Sequence, residues 1–253
     1  MSPADNQTLW EGFDDGQPFD NANDGDPVVV YDEYADRWIA TKFALSTNNG
    51  KYYELIAVSA TPDPLGEWYR YAYEFDNLND YPKFGIWNDA YYFSINQFHN
   101  WNWAGGGICA VDRDKMLAGD PDAQMVFFDL GTAFGSLLPA DADGATPPPE
   151  GSPQYFMNMS NNSLRIWEVD IDWENPENST TNFLTPLSTE QFFTNNISIS
   201  QRGTSQKLDA LAGRLMYRLQ YRNFEEYEVM LTNHTVRVDD NGVAPGDINF
   251  DLD

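Results

Sequence analysis

Asp26-Pro-Val-Val-Val-Tyr-Asp32, followed by Arg37-Trp-Ile-Ala-Thr41, is the stretch on which the fold turns, because the chain repeats its pattern. Tyr81-Pro-Lys-Phe-Gly-Ile-Trp87 leads in the same way into Asp89-Ala-Tyr-Tyr-Phe-Ser94, and Lys207-Leu-Asp-Ala-Leu-Ala212 into Gly213-Arg-Leu-Met-Tyr217. Each unit reads as an inner apolar strand, a tight polar turn and a second strand opening on an aromatic or apolar pair. Ser152-Pro-Gln-Tyr-Phe156 is a weaker copy. Third strands recur as Glu54-Leu-Ile-Ala-Val-Ser59, Gly107-Ile-Cys-Ala-Val-Asp112 and Leu164-Arg-Ile-Trp-Glu-Val-Asp170, with Glu228-Val-Met-Leu-Thr232 as a fourth. Four strands in a period of roughly 40–50 residues predict an all-β fold, a β-propeller of about four blade-like repeats. A β-sandwich predicts alternating strands without this copying.

The expected blades are 25–76, 77–130, 135–188 and 195–253, and residues 1–24, with Trp10 and Phe13, form an arm or a closing strand. A four-stranded blade buries its faces only against neighbouring blades, so Trp38, Trp68, Trp87 and Trp167 read first as packing residues. Helix signals are few. Asp112-Arg-Asp-Lys-Met-Leu-Ala-Gly119 predicts one short helix stopped by Gly119 and Pro121, and Thr189-Glu-Gln-Phe-Phe193 a second.

Composition narrows the class. The 253 residues are 42% hydrophobic and 15% aromatic, which excludes a disordered chain. No apolar run reaches the ~18–20 residues of a membrane-spanning helix, so the reading is a soluble protein. The net charge of −26, from 40 acidic and 14 basic residues, disfavours nucleic acid and anionic membranes as partners. It leaves three readings: salt adaptation, cation binding or ordinary solubility charge. The single cysteine, Cys109, lies in apolar Gly107-Ile-Cys-Ala-Val111 and reads as a buried small hydrophobe rather than a nucleophile. The opening Met1-Ser-Pro-Ala-Asp5 carries no apolar signal segment.

Four groups of residues are candidates for chemistry. Asp26 and Asp80 stand just before equivalent inner strands, and a propeller brings such positions to one channel mouth. Two converging carboxylates can divide into acid and base, or hold a cation; the alternative is that each closes a turn. Asp209 is a lesser third. Acidic glycine turns at Asp20-Asn-Ala-Asn-Asp-Gly25, Asp141-Ala-Asp-Gly144 and Asp239-Asp-Asn-Gly242 point to Ca²⁺, with Asp20, Asp24, Asp141 and Asp143 as ligands, or to plain turns. Phe98-His-Asn-Trp-Asn-Trp-Ala-Gly-Gly-Gly107 offers Trp101 and Trp103 as flat platforms for sugar rings, with His99 and Asn96 as polar partners; packing on a neighbouring blade is the competing reading. His99 and His234 are too few for a three-histidine zinc site, and there is no HExxH, GxSxG, P-loop or dinucleotide fingerprint.

Several strings resemble those of a widespread, largely uncharacterised group of bacterial secreted β-propeller proteins. They are Asp26–Trp38, Asp80–Trp87 with Asp89–Tyr92, Asp112–Gly119, Leu138–Gly144, and Leu215–Phe224 with Asn233–Val236. The resemblance covers about residues 25–240. It implies an extracellular or periplasmic location, and a chain running on beyond Gly246-Asp-Ile-Asn-Phe-Asp-Leu-Asp253, hence a ring here that is truncated or completed by a homo-oligomer. Asp26-Pro27 with Trp38 is also similar to the first-blade motif of five-bladed propeller glycosidases, and Asp63-Pro-Leu-Gly-Glu-Trp68 to their blade-ending turn. That similarity implies a general-base role for Asp26 alone, since the later catalytic blades have no counterpart. The expectation is a secreted hydrolase acting on glycans, using no organic cofactor. The alternative is a non-catalytic carbohydrate- or protein-binding adhesion module using the same mouth.

Overall fold

A computed structural model of the chain describes residues 6–13, 17, 19–21, 24–45, 47–160, 162–194 and 198–237. The protein is all-β. Strands β1 (Val28–Asp32), β2 (Arg37–Ala44), β3 (Tyr52–Ser59) and β4 (Trp68–Phe75) form one antiparallel four-stranded meander. A second follows as β5 (Leu78–Ile86), β6 (Ala90–His99), β7 (Asn102–Asp112) and β8 (Met125–Asp129). The third is β9 (Leu138–Ala142), β10 (Gln154–Ser160), β11 (Ser163–Asp170) and β12 (Thr180–Phe183), with β13 (Leu187–Ser188) also on β11.

Local chemistry sets the turns. Asp32 Oδ1 accepts from the Tyr34 and Ala35 N–H groups at 3.1 and 3.0 Å and so shapes the β1–β2 turn. The expected first helix, α1 (Arg113–Ala118), starts where Asp112 accepts from Lys115 N and stops at left-handed Gly119. Thr189–Phe193 is not the second helix. Asn162 takes its backbone instead: its carbonyl accepts from Thr189 N at 3.0 Å and its side chain from Phe192 N at 3.1 Å.

The last two repeats depart from expectation. Ser152–Phe156 leads into β10, the second strand of its sheet; the inner place belongs to β9, which expectation put in an acidic turn. A Cβ on Gly85 would lie 2.5 Å from the Ala140 carbonyl oxygen, so only glycine lets β5 approach β9 this closely. In the fourth repeat, β14 (Ser198–Ser200) and β15 (Lys207–Asp209) form a separate two-stranded ribbon. β16 (Leu215–Asn223) pairs in parallel with β9 and antiparallel with β17 (Glu228–His234). Among the described residues the fourth repeat is therefore no four-stranded meander. β16 and β17 extend the third sheet into a curled, seven-stranded half-barrel. Burial explains the choice: Leu215, Leu219 and Tyr221 enter the core beside Trp87, Phe156 and Trp167. The expected strand at 246–253 lies outside the described residues.

Two further cores complete the packing. Ile56, Val58, Phe84, Ile86, Phe93 and Cys109 fill the space between the first and second sheets. Trp10, Phe13 and Phe19 cover the outer face of the first sheet, packed on Tyr53, Leu55 and Ala57. The N-terminal segment thus lies on that sheet through 3-10 turns at Asn6–Trp10 and Phe19–Asn21. No helix among the described residues is long and apolar enough to cross a membrane.

Candidate functional site

β1 and β5 pack against each other. Asp26 is exposed, with φ +45°, just before β1. β5 carries a bulge between Asp80 and Lys83, with Tyr81 at φ +59° and Pro82, which has no N–H to pair, inside it. The bulge brings Asp80 within electrostatic reach of Asp26. Burial, and then the Asp26 charge, push the Asp80 carboxyl above its ordinary value.

Two cations face these acids. Lys83 Nζ donates to the Pro82 carbonyl at 2.9 Å and stands 3.7 Å from the centre of the Tyr81 ring; the Arg214 guanidinium is 4.8 Å from the same centre. Burial pulls the Lys83 ammonium down, while Asp26, Asp80 and Glu54 hold it up. Glu54, on β3, is wholly buried, and burial pushes its carboxyl well above the carboxylate range. Asn79 Nδ2 donates to Glu54 Oε2 at 2.9 Å. Glu54 Oε1, Asn79 Oδ1 and Thr41 Oγ1 are buried as well, with the Thr41 hydroxyl beside the Glu54 carboxyl. Glu54 Oε1 and Asn79 Oδ1 are both acceptors; the Thr41 hydroxyl supplies one donor, and protonation of Glu54 supplies a second.

This has a pH signature. A carboxyl whose folded pKa is raised binds more protons folded than unfolded, so its contribution to stability is lost as pH rises through the folded value. Glu54→Gln, which is neutral at every pH and keeps an acceptor for Asn79, is expected to match the wild type near pH 5 and to melt progressively higher than it as pH rises. Thermal melts across pH 5–9 check this; a parallel pH dependence in both proteins refutes it.

The aromatic loop is a hairpin at the same end of the second sheet. Asp80 pairs with Asn96, and β6 continues past it to the two-residue turn Asn100-Trp101, at φ +49° and +65°, the signs of a type I′ turn. Trp101 is 81% exposed. Trp103, 41% exposed, donates from Nε1 to the Thr132 carbonyl at 2.9 Å, covers Gly135 and meets Phe98 edge-on at 5.6 Å. The loop thus divides the two readings between its tryptophans, Trp101 projecting and Trp103 packing. His99 is exposed, with Nδ1 3.0 Å from Asn77 Oδ1. Asn96 is buried and turned to Ser136, accepting from its N–H at 2.7 Å.

The expected calcium ligands separate. Asp141 is not in a turn but buried in β9, because its Oδ1 accepts from Ile86 N at 3.0 Å and its Oδ2 from Arg218 at 2.6 Å. Burial lifts its carboxyl to about 6, against the pull of Arg218. Asp143 accepts from the other arm of Arg218 at 3.1 Å. The Arg218 guanidinium thus bridges Asp141 and Asp143. Asp20 lies in the Phe19–Asn21 turn, and Asp24 Oδ2 accepts from Leu45 N at 2.7 Å just past the end of β2. Among the described residues no three His, Cys, Asp or Glu side chains are grouped to hold a metal. Asp239–Gly242 lies outside the described residues. Asp209 closes a turn, accepting from Leu211 N at 2.9 Å, and the His234 ring meets Phe192 at a tilt, 4.3 Å between centres.

Sequence reading passed over Glu54, Lys83, Arg214 and Arg113. Glu54 had a signal: a charge inside the apolar run Tyr52–Ser59. Arg113 clamps two sheets, donating to both oxygens of buried Asp32 at 2.7 and 3.2 Å while Tyr91 Oη donates to Oδ2 at 3.0 Å. No protein-family model, curated protein or solved structure matches the chain.

Proposed function

We propose that the repeated meanders are propeller blades and that the start of their inner strands is the active site of a secreted glycan hydrolase. The observation that carries this is the coupling of Asp26 with Asp80: equivalent positions of two repeats, one exposed, the other half-buried with its carboxyl pushed up. Glycoside hydrolysis needs such a pair. In this reading Asp80 gives its proton to the leaving oxygen as the glycosidic bond breaks. Asp26 takes a proton from the attacking water, whose oxygen bonds to the anomeric carbon. Lys83 and Arg214 keep a second negative charge tolerable beside Glu54. The test is a panel of aryl glycosides, with esters as the control class: glycoside turnover lost in Asp80→Asn supports the reading, and ester-only turnover or none refutes it.

One observation favours the binding-module reading. A bulky residue at φ +65° is strained, and Trp101 also holds its ring in water. Trp101→Gly relieves the left-handed strain and is expected to stabilise the fold by about 1 kcal/mol. If the ring is a sugar platform, the same variant loses glycan affinity while melting higher. Melts paired with glycan-array binding decide it; unchanged binding removes Trp101 from the site.

A further inference from the structure

Where an arginine meets a buried acid elsewhere in this fold, the two pair directly. Arg113 stands 2.7 Å from Asp32, and Arg218 2.6 Å from Asp141. In a chain with 40 acidic and 14 basic residues, attraction between opposite charges makes such pairing the rule. Lys83 and Arg214 break it. Both lie within electrostatic reach of Asp80, yet among the described residues neither makes an ion pair with a carboxylate. They gather instead at the Tyr81 ring, Lys83 Nζ 3.7 Å and the Arg214 guanidinium 4.8 Å from its centre.

Two elements build this arrangement. The β5 bulge presents Tyr81 and Lys83, and Arg214 immediately precedes β16. Tyr217 Oη, on β16, donates to the Phe84 carbonyl of β5 at 2.9 Å and ties the two strands together. Lys83 Nζ uses one N–H on the Pro82 carbonyl at 2.9 Å, and Arg214 makes no hydrogen bond among the described residues. An ammonium carries three N–H donors and a guanidinium five, so most of the donors here are unused. Asp26, Asp80, Tyr81, Lys83 and Arg214 all keep surface open to solvent. Burial favours the neutral form of Glu54, so with the Asp80 proton in place the two cations outnumber the one charged acid, Asp26.

We propose that Lys83 and Arg214 form a subsite for the carboxylate of a uronic acid, so that the glycan cleaved at Asp26 and Asp80 is an acidic one. The inference rests on the hydrolase reading of the same site. In a pyranuronate the carboxylate is carried on C5, which shares the ring oxygen with the anomeric carbon. One sugar ring therefore meets the acid pair at its anomeric carbon and the two cations at its carboxylate. A guanidinium donates two parallel N–H···O bonds to a carboxylate, which fixes its orientation, and the ammonium adds a point charge. The net charge of −26 repels anions in general, so an anionic substrate is retained only where cations are locally in excess.

The test is NMR titration of the whole chain with sodium D-glucuronate, and with D-glucose and sodium acetate as controls, at matched ionic strength. Turnover of an aryl glucuronide and an aryl glucoside is measured beside it. Glucuronate is expected to shift the amides of Asp80, Tyr81 and Lys83 saturably, binding about tenfold or more tighter than either control. Arg214→Gln should weaken it by about tenfold or more, as for loss of a charged hydrogen bond. Arg214→Lys, which keeps the charge without the fork, should recover part of that loss. Binding of glucuronate through Arg214 with neither glycoside turned over supports the subsite and refutes hydrolysis alone. Glucoside turned over as fast as glucuronide, with glucuronate bound no tighter than glucose, overturns the subsite and leaves hydrolysis standing. Acetate bound as tightly as glucuronate, absence of saturable binding, or unchanged affinity in Arg214→Gln also overturns the proposal. Should Arg214→Gln not fold, Lys83→Met gives the same reading.

Discussion

Asp26→Asn is expected to cut glycoside turnover by at least ~100-fold, the usual scale for a general acid–base group, while leaving the melting temperature nearly unchanged. Asn keeps the shape of the side chain and tolerates the left-handed backbone that Asp26 adopts. Asp26 is exposed, and Asp80 still faces the Lys83 ammonium once the Asp26 charge is removed. The substitution also removes the charge that lifts the Asp80 carboxyl, so the alkaline limb of the pH–rate profile, set by loss of the Asp80 proton, should move to lower pH as well. A turn-closing Asp26 gives the opposite pattern: stability falls by about 1 kcal/mol, and activity drops only with the folded fraction. Melting and turnover measured on the same preparations separate the two.

The largest effect on stability is expected from Arg113→Ala. Asp32 is fully buried, and Arg113 is its only neutralising group among the described residues. Removing the guanidinium leaves a carboxylate sealed between two sheets, held only by Tyr91 and by the N–H groups of Tyr34 and Ala35. Breaking a buried pair from one side costs about 3–5 kcal/mol. For a chain of this length that lowers the melting temperature by roughly 6–20 °C. Asp32→Asn with Arg113→Met removes both charges and should recover much of the loss. A single variant that melts like the wild type, in calorimetry at low and high salt, shows the pair to be a surface contact.

The repeated strands were legible because their signals are local. Val28–Val30, Ile39, Ile56–Val58 and Ile108–Val111 alternate or run apolar between acidic turns, and the Asp112 and Gly119 caps bracket α1. β9 was not. Leu-Pro-Ala-Asp-Ala has weak strand propensity, and its place is set by distant partners: Gly85, Met157 and, in parallel, Leu219. Parallel pairing of β16 with β9 joins segments about 80 residues apart, which no local pattern announces. The same blindness hid half the candidate site. Asp26 and Asp80 stood out by repetition, whereas Lys83 and Arg214 look like any surface cation until the β5 bulge turns them onto Tyr81. Asp141 misled in the other direction, since the nearby Asp-Gly pair resembles a turn, while Ile86 N and Arg218 hold the carboxylate inside a strand.

The coupling of Asp80 to Asp26 is the centre of the account, and carboxyl titration by NMR reads it directly. Asp80 should titrate above the ordinary aspartate range in the wild type, and its midpoint should fall in Asp26→Asn, with burial keeping part of the rise. The remaining carboxyls far from the β1–β5 start should not move. An Asp80 that titrates at the ordinary value, or whose midpoint is the same in the two proteins, would contradict a shared acid–base site.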